Sequence, residues 1–200
     1  MVTPHNNLRD VALPFMEDLF EATHETVNLA VRDGNELLYI DRISGHRTAP
    51  RAARVGSRRP LYCTALGKAI LAFSSDSVVS DVIAAGLRPQ TRNTSISPTV
   101  LRDQLAHARE THIAYDREEF GTGVSCIATP VLRGERAMAA LSVAAPTSRF
   151  DADRYGIALK AIGASLSRLV GQLPQSSGTT HQAQFRSRPL TLLSRRADIW

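Results

Sequence analysis

Two stretches of alternating residues, each turning back on itself at a glycine, bracket a run of helices, and this order restricts the fold more than any other feature of the chain. In the first, Val27, Leu29 and Val31 alternate with Asn28, Ala30 and Arg32; Asp33-Gly34-Asn35 then breaks the pattern and Leu37-Leu38-Tyr39-Ile40 follows. Alternation sends successive side chains to opposite faces of a sheet, and Asp-Gly supplies the positive φ of a tight hairpin turn. The second joins strands over 124–131 and 137–144 through Arg133-Gly134-Glu135. Elsewhere the apolar period is helical. Leu8, Val11, Ala12, Phe15 and Leu19 form one stripe behind an Asn7 cap, which predicts a helix over 8–23 that Pro14 bends or splits. Thr64 caps a second helix that buries Ala65, Leu66, Ala69, Ile70 and Phe73. A third, over 76–86, stops at Gly86; a fourth opens at Ser97-Pro98 and runs to His112; the last runs from Phe150-Asp151 to Gly171. A further strand is expected over 49–55, closed by Pro60. Antiparallel strand pairs clustered around helices predict an α+β sheet covered by helices rather than a doubly wound parallel fold.

The chain has 200 residues, 43% of them hydrophobic, enough for one sizeable core. The expected organisation is a disordered start over 1–7, one domain over 8–172, and a mostly disordered, arginine-rich tail over 173–200. No window approaches the ~20 apolar residues of a membrane span, and the first ten residues lack a basic start and an apolar centre. A cytoplasmic protein with no membrane partner is therefore expected. Cys63 and Cys126 lie far apart and outside any C-x-x-C pair, so both are expected to be free thiols, and no cofactor is expected. The net charge of +5 is concentrated at Arg47, Arg51, Arg54, Arg58 and Arg59, and again at Arg186, Arg188, Arg195 and Arg196. These are read as solvated or interface arginines, not as a DNA-binding face.

Four segments together resemble the effector-binding domain of the IclR family of bacterial transcription regulators. They are Glu25-Thr26-Val27-Asn28-Leu29-Ala30-Val31 with Asp33-Gly34; Val55-Gly56 leading to Pro60-Leu61-Tyr62-Cys63-Thr64-Ala65-Leu66-Gly67-Lys68-Ala69; Tyr115-Asp116-Arg117-Glu118-Glu119 followed by Gly123-Val124-Ser125-Cys126-Ile127-Ala128; and Ala140-Leu141-Ser142-Val143. The likeness covers about residues 8–172. It implies a GAF-like fold, a twisted antiparallel sheet flanked by helices, which takes a small-molecule effector and mediates oligomerisation as a homodimer or homotetramer. Family members also carry an N-terminal winged helix-turn-helix that reads DNA. The first helix here begins almost at Met1, so DNA contact is expected only indirectly.

Matched residue by residue, the resemblance implies a pocket formed by Ala65 and Leu66, Asp116, Cys126, and Ser142 with Ala144. Amides over 64–67, from Thr64 to Gly67, open a helix, and the positive end of its dipole suits a carboxylate. Ser142 can donate a hydrogen bond, and Cys126 can line a wall as a small polarizable group. The expected ligand is a small organic acid, carboxylic or aromatic. Ala144 stands where some members carry a second serine, which favours a more apolar acid. Taken alone, the same residues have plainer readings: Cys126 as a core thiol, Asp116 in a solvated acidic turn, Lys68 on the surface, Thr64 as a cap, Ser142 satisfying a backbone carbonyl.

Three other functions are conceivable for these residues. An enzyme would pair Cys126 with His107 or His112 as base, yet no nucleophile motif surrounds them. A metal site would draw on His24, His46, His107 or His112 with Cys63 or Cys126, and close ligand spacing is lacking. The third is a ligand-independent module that forms mixed oligomers with a full-length regulator.

Overall fold

The computed structural model describes residues 4–44 and 53–173. Helix α1 spans Pro4–Thr23; strands β1 (Thr26–Asp33), β2 (Glu36–Ile43) and β3 (Arg58–Pro60) follow; then come helices α2 (Ala65–Ala72), α3 (Asp76–Ala84) and α4 (Pro98–Thr111). Strands β4 (Ala114–Arg117), β5 (Val124–Arg133) and β6 (Arg136–Pro146) complete the sheet, and α5 (Ala152–Gln172) closes the domain. All six strands form one antiparallel sheet in the order β3-β2-β1-β6-β5-β4. The α+β class expected from the two hairpins is thus the observed one, and both hairpin turns place a glycine at positive φ, Gly34 at 60° and Gly134 at 59°.

Several elements differ from the sequence reading. Helix α1 starts at Pro4, ahead of Asn7, and runs through Pro14 as one element. The lost backbone donor costs one hydrogen bond, while Ala12, Met16 and Leu19 on either side of it are completely buried. The strand expected over 49–55 falls mostly on residues outside those described; residues 53–55 are not in a strand, and β3 forms later, at Arg58–Pro60. Strand β4 was not foreseen, because four residues carry too little alternation to be noticed. Of the tail expected over 173–200, all but Leu173 lies outside the described residues.

The two faces of the sheet carry side chains of different size. Val27, Leu29, Val31, Ile127, Leu141 and Val143 pack on α1 and α5. On the other face, under α2, α3 and α4, the strands present Ala30, Ala114, Ala128 and Ala140. Small side chains let α2 approach and leave space beside it. The approach is tightest at Gly67, where a Cβ would sit 2.1 Å from the Leu61 carbonyl oxygen. A bulge between Leu29 and Ala30 puts Ile40 on the α1 side while Asp41 accepts a hydrogen bond from Arg9 Nε at 2.8 Å. Gly67→Ala is expected to destabilise the domain by about 2 kcal/mol or more, since backbone cannot retreat as a side chain can; thermal unfolding of the variant measures it.

Candidate ligand-binding site

Beside α2, the small-residue face of the sheet leaves a half-enclosed cavity of about 500 Å³. Strand register sets its floor. Asn28 stands opposite Ser142, Thr26 opposite Ala144, Ala144 opposite Cys126, and Cys126 opposite Asp116. The start of α2 supplies one wall through Thr64, Ala65 and Leu66, and the segment after β4 supplies another through Phe120, Gly121 and Thr122. Arg54, Gln90 and Thr122 are exposed and rim the mouth.

Seven of the eight residues that the sequence placed at a site line this cavity: Thr64, Ala65, Leu66, Asp116, Cys126, Ser142 and Ala144. Gly67 does not, since it is turned against the Leu61 backbone, and its role is to let α2 come close. Thr64 is the N-cap of α2: its Oγ1 accepts from Gly67 N at 3.2 Å and donates to the Pro60 carbonyl at 3.0 Å. The N–H groups of Ala65 and Leu66, the first two helical positions, have no partner within the helix and carry the positive end of its dipole.

Asp116 is 5% exposed, so the solvated-turn reading does not hold. Its Oδ1 accepts from the amides of Glu119 at 2.7 Å and Phe120 at 3.3 Å, which shapes the wall after β4. Burial outweighs those two bonds and pushes its pKa up to about 7, with the Glu119 carboxylate adding to the rise. Lys68, read as a surface residue, is only 2% exposed. Its Nζ donates to Glu119 Oε1 at 2.6 Å and to Gln104 Oε1 at 3.1 Å, tying α2 to α4 and to the segment after β4. Among the lining residues that the sequence did not single out are Asn28, Tyr39 and Arg59. Asn28 was visible as a lone amide in a strand apolar on both sides, and Arg59 was grouped with solvated arginines. Its guanidinium in fact lies 4.9 Å over the Phe120 ring, within the cavity lining, and has no carboxylate partner among the described residues. By contrast, Arg58 pairs with Asp33 outside it.

The thiols are not activated. Burial pushes Cys63 up to about 12, and burial together with Asp116 drives Cys126 well above its ordinary value. Thiolate chemistry needs the opposite shift. The structure also keeps the proposed bases elsewhere. His107 lines a separate pocket against α4, while His112 stacks on Phe73 at 5.1 Å. Among the described residues no three His, Cys, Asp or Glu side chains are grouped to hold a metal ion, and no helix is long and apolar enough to cross a membrane.

The molecule is an α+β domain, an antiparallel six-stranded sheet between two helical layers, with a cavity of mixed polarity at the start of a buried helix. The model of the bacterial transcriptional regulator IclR C-terminal domain matches residues 1–168, so the chain belongs to the IclR family and comprises its effector-binding domain. It is 36% identical over 155 residues to the HTH-type transcriptional repressor AllR of Escherichia coli K12, covering 76% of this chain and 57% of that protein. The chain therefore spans a little over half the length of the curated relatives it matches. The Thermotoga maritima IclR structure superposes with a TM-score of 0.78 at 33% identity, over 82% of this chain and 69% of the other. An IclR homologue from Microbacterium hydrocarbonoxydans complexed with 4-hydroxybenzoate gives 0.79 at 27% identity, over 83% and 69%. These relatives are transcription regulators and not enzymes.

Replacing Lys68 by Met strands the Glu119 carboxylate in the interior and is expected to cost about 3–5 kcal/mol. The double variant Lys68→Met/Glu119→Leu is expected to regain most of that loss. Urea unfolding of the two variants makes the comparison.

Proposed function

We propose that this domain senses a small organic acid, carboxylic or aromatic, whose anionic end is met by the opening amides of α2 and by the Arg59 guanidinium. The observation that carries this reading is one cavity lined at once by the free N–H end of a helix, by a cation stacked on an aromatic ring, and by a carboxyl group held near neutrality. Its volume of about 500 Å³ lies in the ~300–1,000 Å³ range of small-molecule sites. A guanidinium beside a ring also offers an aromatic acid both charge and an aromatic wall. The related homologue complexed with 4-hydroxybenzoate is consistent with such a ligand. Binding would act by favouring one arrangement of associated domains over another, which requires a difference in affinity between the two. Any effect on DNA then passes through a DNA-reading domain joined to or associated with this one.

The alternative, an oligomerisation module that mixes with a full-length regulator without needing ligand, draws on the outer layer formed by α1 and α5. Ile157 there is 75% exposed, and Leu13 and Leu169 are also exposed. Co-expression with a tagged full-length regulator, with and without acid, separates the two: assembly indifferent to acid favours the alternative.

Thermal-shift titration against a panel of carboxylic and aromatic acids tests the main reading. A bound acid at ~100 times its Kd adds roughly 2.7 kcal/mol of stability. Arg59→Met is expected to weaken binding by about tenfold, the loss of one charge-assisted contact. The pH dependence has a definite sign. Asp116 is mainly neutral below about 7 and ionises above it, next to Cys126 and Glu119 and with Lys68 behind. Affinity for an anion should therefore fall as pH rises through about 7, and Asp116→Asn should flatten that profile. Calorimetry across that range measures both.

A further inference from the structure

The closed end of the cavity holds an unmatched polar pair. Asn28 and Ser142 face each other across β1 and β6, and Asn28 Nδ2 donates to Ser142 Oγ at 3.2 Å. Val27 and Leu29, the neighbours of Asn28, point to the α1–α5 side, so strand alternation turns Asn28 to the cavity side, where both it and Ser142 line the wall. Asn28 is only 5% exposed, and its Oδ1 is buried with no donor. Ser142 is more deeply buried still; its oxygen is already an acceptor, and among the described residues its proton has no acceptor.

A buried acceptor without a donor forfeits the hydrogen bond it had in water, so such groups ordinarily find partners. Here the two groups lie side by side at a cavity wall, one lacking a donor and the other an acceptor. We infer that Asn28 selects the effector: the ligand is an acid that also carries a hydroxyl or primary carboxamide, which donates to Asn28 Oδ1 and accepts from the Ser142 hydroxyl. A ketone, ether or alkyl group at that end leaves Asn28 Oδ1 unpaired, and a buried site built to pair with a polar group rejects the analogue that lacks it. The polar group missing at Ala144 is thus replaced on the next strand, by Asn28 opposite Ser142 and Thr26 opposite Ala144. This inference rests on the acid-sensing reading and narrows its ligand class.

Matched acids differing at one group test it: 4-hydroxybenzoate against benzoate, lactate against pyruvate, and succinamate against 4-oxopentanoate. Each is titrated by calorimetry into the native protein and into Asn28→Leu, which keeps the branching of the side chain while removing its polar atoms. In at least one pair the donor-bearing acid is expected to bind about tenfold more tightly to the native protein, and the preference is expected to vanish in Asn28→Leu. If Asn28→Leu does not fold, the preference measured on the native protein decides. Acids that bind without such a preference, or with one that survives in Asn28→Leu, overturn the selector role and leave the acid-sensing reading standing. If none of the six binds, the acid-sensing reading fails and this inference with it.

Discussion

The buried ion pair between Lys68 and Glu119 holds the two walls of the cavity in place. Lys68 belongs to the first turn of α2 and Glu119 to the segment after β4, so a bond of 2.6 Å between them adds a charged tie to the apolar packing between these two elements. Desolvating two charges is costly unless the geometry is good and further hydrogen bonds help. Gln104 of α4 gives Lys68 a second acceptor, and the amide of Glu119 is tied to Asp116. Thr91 and Thr94 add to the same anchor by donating to the carbonyls of Glu118 and Glu119, which draws the chain preceding α4 onto this wall. The cavity exists because α2 is held close at Gly67 and Lys68 while the sheet beside it carries little bulk.

Electrostatics then gives that space its character. Asp116 would make it hostile to anions if it were ionised, and burial works against that by raising its pKa to about 7. Arg59 is positioned by the Phe120 face rather than by a carboxylate, so its charge is not neutralised by a neighbour among the described residues. A helix N-terminus, an available guanidinium and an acid whose ionisation burial holds back favour a negative guest together more than any of them does singly. Cys126 lines that space as a neutral thiol, because the same low-polarity surroundings that raise Asp116 push its pKa up, as burial does for Cys63 in the core nearby.

Much of the fold was legible locally. Hairpin turns at Gly34 and Gly134, the Thr64 cap, and the helix starts at Ser97 and Asp151 are consequences of short-range geometry, and each sits where its residues place it. What was misread depended on neighbours remote in sequence. Pro14 leaves α1 intact because the surrounding apolar residues are buried against the sheet and α5. Lys68 looked like a surface lysine because its partner is 51 residues away. Arg59 looked solvated until β3 paired with β2 and carried it beside Phe120. Gly67, grouped with the site, lies outside the cavity lining and close against the Leu61 backbone.

By itself, the sequence determined the helices and the two long hairpins, since these follow from periodicity, caps and turn chemistry over a few residues, and its four motif segments carried the likeness to the family. Tertiary structure alone decided which polar groups share a cavity and in what ionisation state. Register brings Asn28 to Ser142 and Asp116 to Cys126, and burial, which no single segment contains, sets the charge they present.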